Sequence, residues 1–123
     1  MTRPQLSQQI TFLHARDLGA TYRFYCELLE LPLVRDQGKC LIFEVAPGAY
    51  LGFCEHIEPI PAGRRVVLTL VSEDEDEWYA YLKHKGLLLT DPPKANPEFQ
   101  IYHFFLEDPN GYTVEIQKFD HPL

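Results

Sequence analysis

The sequence predicts an α+β fold made of two β-α-β-β-β modules, on three observations. Its 123 residues, 46% apolar and 24% charged, have the size and composition of a single globular domain. Two stretches, beginning near residues 10 and 66, repeat one order of features: a short apolar run, an amphipathic run, then several β-rich pieces. Each stretch of about 50 residues holds one amphipathic helix, too little to close a core alone, so the two sheets are expected to pair.

The first module spans residues 8–54. Residues 10–15 (ITFLHA) read as a strand. The run ATYRFYCELLEL reads as a helix, because Tyr22, Tyr25, Leu28 and Leu29 recur on one helical face. Asp17 suits its N-cap, where a carboxylate accepts a bond from an unpaired backbone N–H, and Pro32 stops the run. Residues 33–35, 40–45 and 50–54 are β-rich pieces between the turn signals DQGK and APGA.

A linker, residues 55–63 (EHIEPIPAG), leads to the second module, residues 64–119, which repeats the first at an offset of 56. Residues 66–71 match 10–15, and Glu73 matches Asp17. The acidic run 73–77 falls in the first helical turn and reads as a solvated helix start; Lys83, His84 and Lys85 fall in the last, and Gly86 is the C-cap. A short strand near 87–89, a loop TDPPKANPEF, the strand IYHFFL, a turn at Asp108-Pro109-Asn110-Gly111 and the strand YTVEIQKF complete it.

Eighteen acidic against eleven basic side chains give a net charge of -7. That balance opposes nucleic-acid and anionic-membrane partners and favours a neutral or cationic small molecule. The polar N-terminus MTRPQLSQQ has no apolar core for a signal or a membrane span, and three cysteines without a C-x-x-C pair read as reduced thiols. A cytoplasmic location is therefore expected. Phosphate-binding glycine loops, H-E-x-x-H and nucleophile elbows do not occur, which argues against nucleotide binding and serine hydrolysis.

Asp17-Leu18, Thr21, Phe24-Tyr25, Leu29 and Leu31 resemble the helix signature of the vicinal oxygen chelate superfamily, which includes glyoxalase I, bleomycin-resistance proteins and extradiol dioxygenases. The segment 104–116, FFLEDPNGYTVEI, is similar to the superfamily's terminal hairpin. The resemblance covers residues 8 to 119 and implies curved sheets forming a cup, with a helix on each convex face. It also implies a divalent metal held by one His or Glu from each of four strands, with open positions for two substrate oxygens. Carried onto this chain, the ligand positions fall on Ile10, Gly52, Val66 and Glu115, of which only Glu115 can ligate. The usual metal centre is thus expected to be absent, and no cofactor is expected.

Side chains alternate along a strand. Phe12 and His14 are expected to share the face of Ile10, Tyr50 and Cys54 that of Gly52, and Leu68 and Leu70 that of Val66. Thr113 and Gln117 go with Glu115, and the resemblance places His103 and Phe105 inward. The expected ligand-binding lining is Phe12, His14, Tyr50, Cys54, Leu68, His103, Phe105, Thr113, Glu115 and Gln117: apolar walls with a few polar groups. Glu115, His14 and His103 are the catalytic candidates. Each has a plain structural reading beside the functional one, a satisfied buried carboxylate or a packed imidazole. If the three converged, they would form a two-His-one-carboxylate set suited to Fe(II) or another divalent metal. His84 reads as surface, His56 and His121 as linker and tail, and Cys26 as packing.

Two functions follow. The leading one is binding of a small neutral or cationic ligand in the cup, as in metal-free, bleomycin-resistance-like members. The alternative is a metal-dependent lyase, isomerase or dioxygenase with displaced ligands. One Trp, seven Tyr and eight Phe exceed what a small core readily hides. With the resemblance, this leads to the expectation of a two-fold homodimer.

Overall fold

The structure is a computed structural model that describes residues 2–61 and 64–123. The chain divides into two compact units, Met1–Pro61 and Ala62–Leu123. Ala62 and Gly63, the end of the expected linker, lie outside the described residues. Among the described residues no helix is long and apolar enough to cross a membrane.

In the first unit β1 (Gln9–His14) leads into α1 (Leu18–Tyr22), then come β2 (Leu33–Asp36), β3 (Cys40–Ala46) and β4 (Ala49–Cys54). The sheet order is β1-β4-β3-β2; β1 runs parallel to β4 and the other neighbours are antiparallel. Asp17 caps α1 as expected: its Oδ1 accepts from the Ala20 N–H at 3.0 Å. After Tyr22 the helix widens into a π-helical segment, Arg23–Leu28, in which the Leu29 N–H reaches back to the Phe24 carbonyl. It stops before Pro32. Glu30 takes a left-handed φ of 58°, and the Leu31 N–H bonds to the Tyr25 carbonyl, six residues back, closing the end as a Schellman motif does.

The apolar helical face packs on one side of this sheet. Tyr25 is fully buried, stacks on Phe53 with ring centroids 4.5 Å apart, and lies 5.8 Å from Phe43. Burial of each such ring contributes about 1.5–3 kcal/mol. The sheet face carrying Phe43 and Phe53 is thereby committed to the helix, and the alternate residues line the other face.

The second unit repeats the topology: β5 (Val67–Val71), α2 (Glu75–His84), β6 (Lys94–Asn96), β7 (Ile101–Glu107) and β8 (Thr113–Phe119), in the order β5-β8-β7-β6. Phe104, Leu106, Val114 and Ile116 are buried on one face, and Tyr79 of α2 meets Phe104 edge-on at 5.4 Å. In the Asp108–Gly111 turn, Asp108 Oδ1 accepts from the Asn110 and Tyr112 N–H groups at 2.8 Å, and of the Asn-Gly pair only Gly111 takes a positive φ.

Four expectations need correction. The helix starts place the repeat at an offset of 57, since the N-caps are Asp17 and Asp74 rather than Glu73. The one-residue difference reverses the faces of β5. Leu68 pairs with Val114 and is buried on the helix-facing side, whereas Val67, Thr69 and Val71 share the face of Glu115. Second, residues 87–89 form no strand and Leu88 is 92% exposed. The pairing strand is β6, inside the expected loop, because register with β7 aligns Asn96 with Ile101. Third, the acidic run is not wholly solvated, because Glu75 is buried. Fourth, Cys40 and Cys54 oppose each other across β3 and β4 and form a disulfide, with Cα atoms 4.1 Å apart; Cys26 alone is free. Separation by 14 residues hid a pairing that strand register creates. The thiol argument for a cytoplasmic location goes with it.

Candidate functional site

On the open face of the first sheet, Ile10, Phe12 and His14 of β1 stand beside Tyr50, Gly52 and Cys54 of β4, and Ile42 of β3 lies opposite Gly52. Ile10, Phe12, Ile42 and Tyr50 wall a cleft of about 360 Å³. Besides the expected Tyr50 hydroxyl, its polar groups are Gln8, Gln37 and Arg35, none of which the sequence reading named. Arg35 enters because a bulge between Leu33 and Arg35 shifts the edge strand by one residue. Gln8 Nε2 donates to the Tyr50 hydroxyl at 3.2 Å, which fixes one rim.

Gly52 sits under an aromatic ring. A Cβ added there would collide with Cδ1 and Cε1 of Phe12. The absence of a side chain at Gly52 and the position of the Phe12 ring are therefore one feature: the ring occupies the space a ligating side chain from β4 would need. Phe12 stays 44% exposed, so its outer side forms an open apolar wall.

His14 is engaged elsewhere. Its Nδ1–H donates to the Ile57 carbonyl at 2.6 Å, tying β1 to the turn after β4. Cys54 lies on the expected face, but as a buried half-cystine.

The second sheet gathers its polar residues around Glu115. Oε1 accepts from Thr69 Oγ1 at 2.7 Å, and Oε2 meets His103 Nδ1 at 2.6 Å. The Gln117 amide, turned nitrogen-inward, donates to both oxygens at 3.2 and 3.3 Å. His103, Glu115 and Gln117 are all buried, and the Phe105 ring stands edge-on to His103 at 4.9 Å. With Nδ1–H given to Glu115, a neutral His103 carries its lone pair on Nε2, the arrangement of an oriented base or ligand. Thr69 was missed because the offset of 56 turned it to the helix side.

His103 and Glu115 thus meet, but His14 belongs to the other unit, so the two-His-one-carboxylate set does not form within either unit. Of the positions the resemblance assigns to metal ligands, Ile10 lies on the cleft face and Gly52 beneath Phe12. Val66 precedes β5, and the corrected offset puts Val67 in its place; only Glu115 has a donor atom. These residues do not fit the usual metal.

Glu75, in the first turn of α2, is the other buried acid. Neither carboxyl oxygen has a hydrogen-bond partner of good geometry among the described residues. Desolvation by burial, then the charges of Asp76 and Glu115, push its pKa up to about 8, against partial relief from the Phe104 backbone and Lys118. The spacing of Glu75, Tyr79 and Leu82 was the available signal, since it puts all three on one helical face.

A family model described as the glyoxalase/bleomycin resistance protein/dioxygenase superfamily matches residues 8–116. No curated protein matches the chain. Among solved structures, a glyoxalase/bleomycin resistance protein/dioxygenase from Nocardioides is 22% identical, with 97% of this chain and 85% of that one covered and a TM-score of 0.75. Lactoylglutathione lyase from Agrobacterium tumefaciens is 21% identical, with 94% and 96% covered and a TM-score of 0.73. TioX from Micromonospora sp. ML1 is 14% identical, with 91% and 98% covered and a TM-score of 0.76. At these identities the likeness establishes the fold alone.

Proposed function

Because the chain belongs to the glyoxalase/bleomycin resistance protein/dioxygenase superfamily, we propose that it uses the superfamily's sheet face to bind a small organic molecule without the usual metal. The observation that carries this reading is the Phe12 ring lying over Gly52, an apolar wall where a ligand side chain would stand. Ile10 and Val67 continue the same substitution of apolar for coordinating groups. The cleft then has the composition of a small-molecule site: aromatic and aliphatic walls with a few polar groups that fix orientation.

Net charge favours a neutral or cationic ligand, but Arg35 is the charged group lining the cleft itself. Local charge acts at shorter range than the screened net charge. The ligand class we favour is therefore a neutral molecule with an apolar body and an acceptor for Arg35, Gln37 or Gln8. A thermal-shift screen of neutral, cationic and anionic aromatic compounds, run with and without EDTA, tests this. Saturable stabilisation by neutral compounds, unchanged by EDTA and lost in Phe12→Ala, is the expected result. Binding abolished by EDTA would contradict the reading.

The His103–Glu115 pair favours one second reading, a lyase, isomerase or dioxygenase with displaced ligands, since both residues carry donor atoms. Metal that depends on Glu115 would be its signature.

A further inference from the structure

Cys40, Cys54 and His56 lie together in the first unit, at the end of β3 and β4 on the same sheet face as the cleft, and none of them lines it. One donor atom from each falls within 4.8 Å of the others, and Cys40 Sγ is 3.8 Å from His56 Nδ1. Strand pairing places them: Cys40 opens β3 opposite Cys54, which closes β4, and the next turn carries His56 back over the pair. The turn is held by bonds from the Glu55 N–H to the Lys39 carbonyl and from the Ala15 N–H to the Cys54 carbonyl. The sulfur atoms belong to buried residues, whereas His56 is exposed, so solvent and solutes approach from the imidazole side.

We propose that this trio is a redox-gated site for a soft divalent cation of the zinc class: a disulfide when oxidised, a two-thiolate, one-imidazole metal site when reduced. Two Cys and one His supply three of the four donors of a tetrahedral zinc site and leave one position for water. Gating follows from stoichiometry, because both thiolates are consumed when the disulfide forms. Oxidation proceeds by exchange with a low-molecular-weight disulfide. The Cys40 thiolate, on the imidazole side, attacks one sulfur and expels a thiolate; the Cys54 thiolate then displaces the second from the mixed disulfide. The external S–S bond breaks, the internal one forms, and the two protein protons end on the two released thiols. Metal binding by the reduced form instead releases those protons to solvent. None of the three residues lines the cleft of the proposed ligand.

Cobalt(II) titration of the full chain, before and after reduction with a phosphine, tests the proposal, with circular dichroism confirming the fold. The reduced protein should take up one equivalent of Co2+, show a thiolate-to-cobalt charge-transfer band and lose it when Zn2+ is added; the oxidised protein should show no band. Cys54→Ser should abolish the band. His56→Ala, at an exposed position, should weaken Co2+ binding at least about tenfold, and Cys26→Ser should change nothing. No band after reduction, a band that survives Cys54→Ser, or unaltered affinity in His56→Ala would overturn it. Unfolding on reduction would show a purely structural staple and would also overturn it.

Discussion

A glycine at residue 52 and a phenylalanine at residue 12 form one unit, because a side chain at residue 52 would stand where the ring of residue 12 lies. Gly52→Ala must push the Phe12 ring off the sheet, and crowding of this kind costs about 1–3 kcal/mol. In a Phe12→Ala background that cost should largely vanish. Urea unfolding of the two single variants and the double variant measures the coupling; additive effects would mean that the ring yields freely. Neither half of this pair is legible from residue types alone. Gly52 reads only as a missing ligand, and the ring above it appears once β1 pairs in register with β4. The face of Glu115 was legible from strand alternation, but its bond from Thr69 depended on a register the offset of 56 misplaces by one.

At the level of elements, the strongly patterned pieces were readable and the edges were not. The helical face of Tyr22, Tyr25 and Leu29 and the β-rich run of β8 announce themselves by periodicity. β6 does not, since three residues of a proline-flanked segment become a strand only through β7. The α2 helix hides a buried acid in a run of acids, and this has a pH consequence. Glu75 titrates near 8 in the folded chain against an ordinary 4.5, so the folded chain holds the extra proton between those values. The associated stability is fully present below about 4.5 and is lost as pH rises through about 8. Glu75→Gln should therefore match the parent near pH 4 and exceed it at pH 9, by about 1–2 kcal/mol after allowing for the buried amide. Urea midpoints across that range check it; parallel profiles for both proteins would contradict the burial of this carboxyl.

For the molecule as a whole, the β-α-β-β-β repeat was legible because each half states the same pattern in the same order. The repeat is a repeat of topology, and the two halves have diverged in chemistry. The first sheet face is an apolar cleft with Arg35, and the second a buried carboxylate–imidazole pair. Chemistry of that kind depends on which residues cross-strand register brings together, and a register error of one residue redistributes every lining group. On the metal-free function proposed here, no metal is held at the superfamily's ligand positions, where Glu115 is the lone donor. Metal content measured by mass spectrometry, on oxidised protein purified without chelator and on Glu115→Gln prepared alongside, addresses it most directly. Far less than one Zn, Mn, Ni or Fe per chain is expected in both. A near-stoichiometric ion in the parent that disappears in Glu115→Gln would contradict it.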